Sequence, residues 1–158
     1  MYKVIEKFLS EEDLQFLRQR SLGTIVKSVY TETSDFHRVH LKALEEVTAF
    51  VPATGLLGVE EWSFHSSMNT LPNLHQDKDE ELFDAVGKLS FPACSCVLYL
   101  NVEDLEGGSL VIGEDTIVPK TGMLVLLAPE VWHEVSEHTS GTRHSTNYNF
   151  WNVPLYNS

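Results

Sequence analysis

The sequence predicts a mostly β domain, a double-stranded β-helix (jelly roll) with N-terminal helices packed on one sheet. Three observations predict it. Apolar residues recur at helical spacing as far as Val51, and from Gly58 onward they follow strand spacing. The later stretch breaks into short strand-like runs, most of them separated by Gly, Pro and Asp or Asn. Eight such runs after two helices fit two facing sheets with helices on an outer side. At 158 residues the chain reads as a single domain, 1–57 forming a helical support and 58–153 the jelly-roll core.

Ser10 precedes Glu11-Glu12-Asp13 and the apolar Leu14, Phe16 and Leu17, so it reads as the N-cap of a helix with an acidic first turn. That helix is expected to end near Leu22-Gly23, followed by a strand over 24–30. Ser34 or Asp35 would cap a second helix, with Phe36, Val39, Ala43, Leu44, Val47, Phe50 and Val51 as its apolar stripe. Pro52 and Gly55 end it. Strands are expected over 59–65, 74–77, 93–101, 109–112, 116–118, 123–128, 133–136 and 143–153, with a short helical insert at 80–89. Cys94 and Cys96 read as buried, reduced thiols.

Charge narrows the function. The net charge is −12, and residues 59–158 hold four Lys or Arg against fifteen Asp or Glu, whereas residues 1–58 hold seven against eight. An acidic second half repels phosphate backbones, so no nucleic-acid partner is expected. No apolar run reaches the length of a membrane span, and residues 1–10 lack the basic head and apolar run of a secretory signal. The expectation is a cytoplasmic monomer or weak dimer that does not engage a membrane.

The chemistry concentrates between His75 and Ser145. Residues two apart on a strand share a face, so His75 and Asp77 can present an imidazole nitrogen and a carboxylate oxygen to one metal ion. His133, after 55 further residues, would complete a two-His, one-carboxylate face with open coordination positions, a set suited to non-haem Fe(II) oxygenases. Asp79 competes for the carboxylate role but sits in an acidic run, where a solvated fate is expected. His138 falls in a polar turn, and His144 falls on the strand face opposite Arg143, so both are expected to be exposed or packing residues. Arg143 offers a forked cation matched to a carboxylate, and Ser145 shares its face.

These features, in this order, resemble the Fe(II)- and 2-oxoglutarate-dependent oxygenases. The text between them resembles the prolyl-4-hydroxylase-like branch: Val97-Leu98-Tyr99-Leu100-Asn101, then Glu106-Gly107-Gly108-Ser109-Leu110, then the run from Val118-Pro119 to Val125-Leu126. The resemblance covers roughly residues 59–153. It implies that His75, Asp77 and His133 ligate Fe(II), that Arg143, Ser145 and Tyr99 hold the far carboxylate of 2-oxoglutarate, and that ascorbate serves as reductant. Asp77 implies hydroxylation, since halogenating members carry a small residue there. The first guess for the substrate is a prolyl residue of a peptide or protein, with a free amino acid or other small molecule as the alternative. A cupin-like metal-binding protein, or a catalytically silent module on the same scaffold, remains the competing class. His65, where the resemblance would often place a Tyr, is either a pocket residue or an ordinary strand residue; Trp132 and Trp151 read more as core than as substrate platforms.

Overall fold

Alternation of apolar residues along the long strands sets the architecture of the computed structural model, which describes residues 1–20, 27–52, 54–65 and 73–156. Its elements are β1 (Tyr2–Ile5), α1 (Glu11–Arg20), β2 (Ser28–Tyr30), α2 (Arg38–Phe50), β3 (Gly58–His65), α3 (Glu80–Val86), β4 (Cys94–Gly107), β5 (Leu110–Ile112), β6 (Asp115–Ile117), β7 (Leu124–Leu127), β8 (Glu134–Val135) and β9 (His138–Trp151). They form a six-stranded antiparallel sheet in the order β1-β7-β4-β9-β3-β2, and a smaller sheet in the order β6-β5-β8.

Period two divides the large sheet into two faces. Cys94, Cys96, Leu98 and Leu100 of β4, with Leu124, Leu126, Tyr148 and Phe150, join Leu14, Leu17, Val39, Ala43 and Val47 of the helices in one buried core. The alternate residues Val97, Tyr99, Val125 and Leu127 join Leu110 and Ile117 of the small sheet in a second core. Both cysteines are free and buried, as expected. The first of three slips in the β4–β9 register follows Tyr99, which faces Ser145, while Asn101 faces His144. Leu100 is thus the extra residue of a bulge. Its carbonyl accepts from Nε and Nη2 of Arg18 at 3.1 and 2.7 Å, which ties α1 to the sheet.

Several expectations are corrected. Residues 1–57 supply an unexpected strand, β1, as well as β2 within the expected strand over 24–30, and the two are the edges of the large sheet. Residues 74–77 form no strand; His75 makes a single antiparallel bridge with His133. β4 and β9 each run 14 residues, longer than their apolar runs suggested. Ser34 and Asp35 lie in a 3-10 turn, and the cap of α2 is His37, whose Nδ1 accepts from the N–H groups of Val39 and His40 at 3.1 and 3.2 Å. The expected end of the first helix, and residues 24–26 of the expected strand, lie outside the described residues. Among the described residues, no helix is long and apolar enough to cross a membrane.

Candidate metal centre and adjoining cleft

His75, Asp77 and His133 come together at one end of the space between the sheets, their donor atoms all within 4.8 Å of one another. The bridge that positions the two histidines is reciprocal: each N–H donates to the other's carbonyl, at 3.0 and 2.9 Å. Asp77 Oδ1 lies 3.2 Å from His75 Nε2 and 3.5 Å from His133 Nε2. Burial works to raise the Asp77 pKa, but the imidazoles of His133 and His75 outweigh it and hold the carboxyl well below its usual range. Asp77 in turn pushes the His75 pKa up, against burial.

The other ring nitrogens decide what this cluster can hold. His75 Nδ1 sits 2.6 Å from the Asn73 carbonyl, and His133 Nδ1 sits 3.0 Å from the Val131 carbonyl. A carbonyl only accepts, so both Nδ1 atoms carry protons and each neutral ring turns its Nε2 lone pair toward Asp77. With both rings neutral, three lone-pair donors face one point and can take a cation between them, and backbone carbonyls that fix the imidazole tautomer are the usual support of a metal-ligating histidine. The residues fit a divalent metal ion.

A second cluster, His37, His40 and Glu61, has similar spacing and went unnoticed in the sequence. Its tautomers are reversed. His37 Nδ1 accepts from two backbone N–H groups, and His40 Nδ1 accepts from the His37 N–H at 3.2 Å. Each neutral ring must therefore hold its proton on Nε2, 3.2 and 3.4 Å from the Glu61 carboxylate. Neither imidazole then has a lone pair left for a metal. The cluster, joined by Arg20 at 3.2 Å from Glu61, is a polar lock between α1, α2 and β3.

Beside the first cluster lies a cleft of about 80 Å³, lined among others by Trp62, Phe64, Leu110, Arg143, Ser145 and Asn147. Arg143 is buried on β9, and its Nε donates to the Gly108 carbonyl at 2.8 Å. Its Nη2 lies 3.4 Å from the Tyr99 hydroxyl, and its guanidinium stands over the rings of Tyr99 and Phe64 at 5.2 and 5.6 Å. Gly108 has φ +64°, and a Cβ there would come within 3.2 Å of Arg143 Cδ, so glycine both permits the turn and leaves room for the arginine. Ser145 is 1% exposed, and its Oγ has no hydrogen-bond partner among the described residues. A buried hydroxyl with no partner among the described residues, beside a buried guanidinium, suits an anionic ligand.

Other expected residues lie elsewhere. His65 is exposed, turned away from the cleft and stacked on His144 at 3.7 Å; Phe64 points in instead. Asp79 is not solvated but buried, capping α3 by accepting from the Leu82 N–H at 3.0 Å. His138 is buried too, with Nε2 2.9 Å from the Gly141 carbonyl. Trp151 is buried and donates to Glu60 at 2.7 Å, whereas Trp132 is 55% exposed and is no core residue. Trp62 and Asn147 were missed. Asn147 was findable, because it continues the Arg143–Ser145 alternation.

No protein-family model matches the sequence, and no curated protein matches it. Solved structures do match. The Pseudomonas putida prolyl-4-hydroxylase aligns with a TM-score of 0.68 at 20% identity, over 97% of this chain and 88% of its own. The viral collagen prolyl hydroxylase vCPH from Paramecium Bursaria Chlorella virus-1, in its 2OG complex, aligns with a TM-score of 0.64 at 16% identity, over 97% and 96%. HygX from Streptomyces hygroscopicus, with nickel and 2-oxoglutarate bound, aligns with a TM-score of 0.66 at 15% identity, over 96% and 83%. In fold, the chain is therefore similar to the Fe(II)/2-oxoglutarate-dependent oxygenases of the prolyl-4-hydroxylase-like kind.

Proposed function

We propose that this protein is an Fe(II)- and 2-oxoglutarate-dependent dioxygenase that hydroxylates its substrate, with His75, Asp77 and His133 as the metal ligands. The observation that carries this reading is the convergence of three lone-pair donors next to a buried arginine and an unpartnered serine in one cleft. When bound, iron and 2-oxoglutarate supply the oxidising chemistry, the co-substrate leaving as succinate and carbon dioxide; the protein holds and shields them.

Each residue then has a task. Asn73 and Val131 carbonyls keep His75 and His133 in the ligating tautomer. Arg143 and Ser145 take the far carboxylate of 2-oxoglutarate, and the Gly108 carbonyl anchors Nε so that the guanidinium cannot swing out of place. The Tyr99 hydroxyl, between Arg143 and the second core, braces that end. Leu110 and the Phe64 ring keep water from the charged pair. Ascorbate serves to restore ferrous iron, and a prolyl residue of a peptide is the first substrate class to test.

The deciding experiment is an anaerobic titration of the Fe(II)-loaded protein with 2-oxoglutarate, followed by the visible charge-transfer band of the chelate. The band is expected. Iron bound with no band at saturating 2-oxoglutarate moves the reading to a cupin-like metal binder.

A further inference from the structure

β9 presents Arg143, Ser145 and Asn147 to one face, each step about 6.5–7 Å along the strand. β3 runs beside it, with Phe64 opposite Ser145 and Trp62 opposite Asn147, while β4 places Tyr99 and Val97 in the same two rows. The cleft wall is thus a ladder. Arg143 stands at one end, the Phe64–Ser145–Tyr99 row comes next, and the Trp62–Asn147–Val97 row lies beyond it. With its far carboxylate on Arg143 and Ser145, a five-carbon dicarboxylate spans roughly one such step. The Trp62–Asn147 row then borders the reacting end, where the molecule to be hydroxylated has to enter.

We infer that Trp62 and Asn147 select that substrate, and that the part of it entering the cleft is uncharged and amide-bearing; this rests on the oxygenase reading above. Asn147 is half-buried and its side chain makes no hydrogen bond to any described residue, so its carboxamide has a donor and an acceptor to offer. Trp62 is half-buried beside it, its ring braced by Lys27 Nζ at 5.5 Å, and that ammonium is paired with Glu60 at 3.0 Å. Among the described residues, the charged or ionisable groups lining the cleft, apart from a buried Cys96 thiol, are Arg143, Asp77, His75 and His133, and each already has a task. A free amino acid would bring an ammonium and a carboxylate with no partner left for either among these residues, which is costly away from water. An amide group meets Asn147 with complementary hydrogen bonds, and an aliphatic side chain or ring meets Trp62.

The test uses the full chain loaded with Fe(II) and 2-oxoglutarate under anaerobic conditions, so that binding is read without turnover. Calorimetry compares a panel of N-acetyl amino acid N-methylamides with the corresponding free amino acids. At least one capped compound is expected to bind, and its free counterpart to bind at least about tenfold more weakly. Asn147→Leu and Trp62→Leu should each weaken that capped probe roughly tenfold, the scale of one lost hydrogen bond or aromatic contact. Affinity for 2-oxoglutarate, read from the charge-transfer band, should stay within about twofold in both variants. Equal binding of the free form, no binding by any capped compound, or unchanged binding in both variants overturns the proposal. So does a parallel loss of 2-oxoglutarate affinity, which would assign the two residues to the co-substrate or the fold. A wild-type protein that binds iron but no 2-oxoglutarate overturns the oxygenase reading itself, and this proposal with it.

Discussion

His75 and His133 donate from Nδ1 to backbone carbonyls, whereas His37 and His40 accept at Nδ1 from backbone N–H groups. Spacing alone makes the two clusters look equivalent; the ring nitrogens separate them. Replacing His75, Asp77 or His133 by Ala should abolish tight Fe(II) binding, while His37→Ala and His40→Ala should cost stability and leave iron affinity intact. Equilibrium dialysis with the metal checks this, and retention of iron by His133→Ala would misplace the third ligand. Arg143 is the corresponding residue proposed for the co-substrate. Removing one member of a buried, charged hydrogen-bonded pair costs about 2–5 kcal/mol, so Arg143→Ala should weaken 2-oxoglutarate by roughly 30-fold to several-thousand-fold with Fe(II) affinity nearly unchanged. Arg143→Lys should recover only part, because an ammonium can neither fork onto a carboxylate nor keep the Nε contact to Gly108. Anaerobic titration of both variants measures it.

At the level of elements, the first helix is fixed by its own start. Ser10 and Asp13 exchange hydrogen bonds, the Asp13 N–H donating to Ser10 Oγ at 3.1 Å and the Ser10 N–H to Asp13 Oδ2 at 3.0 Å, which is a capping box. Lys42 and Arg38 of α2 both pair with the same carboxylate, so one side chain clamps two helices. Burial works to raise the Asp13 pKa, but Lys42 and Ser10 prevail and lower it to about 2. A depressed folded-state pKa means that the clamp contributes fully above about pH 4 and is lost as pH falls toward about 2. Asp13→Asn should lower the thermal midpoint at neutral pH, and the gap from wild type should close in acid; a gap constant from pH 6 to about 2 would contradict it. This helix was legible because cap, acidic turn and apolar stripe are all local signals. The β1 edge strand was not: it is four residues with only its ends half-buried, and it is made a strand by β7, far along the chain. The clustering of His75, Asp77 and His133 was legible through order and spacing even though 74–77 is no strand, because the His75–His133 bridge does the work that regular strand parity was expected to do.

For the whole molecule the governing quantity is charge. With a net charge of −12, the protein would repel the proposed dianionic co-substrate at a distance, although Arg143 would attract it at contact. Salt shortens the reach of that repulsion, from about 30 Å at 0.01 M to about 8 Å at 0.15 M. The association rate of 2-oxoglutarate with the iron-loaded protein should therefore rise with ionic strength over this range, as followed by stopped-flow under anaerobic conditions. A falling rate would mean that the cleft mouth is locally positive despite the overall charge. Composition made this legible. What composition could not give is that α1 and α2 pack against one face of a sheet whose other face holds the site, since that depends on long-range pairing.

The order of the large sheet has a consequence for biosynthesis. β9 alone joins the β1-β7-β4 half to the β3-β2 half, and it also carries Arg143, Ser145 and Asn147. Vectorial synthesis makes it the last of the strands, so a nascent chain holds two sheet fragments with no strand between them. Tyr2 waits 125 residues for Leu127, on the order of ten seconds at ordinary elongation rates, and the halves stay apart until β9 has cleared the ribosome. Chains released before residue 138 leave β4 and β3 with unpaired edges, the kind of surface on which misassembly begins and chaperones act. The cleft closes only once β9, His138–Trp151, has been made.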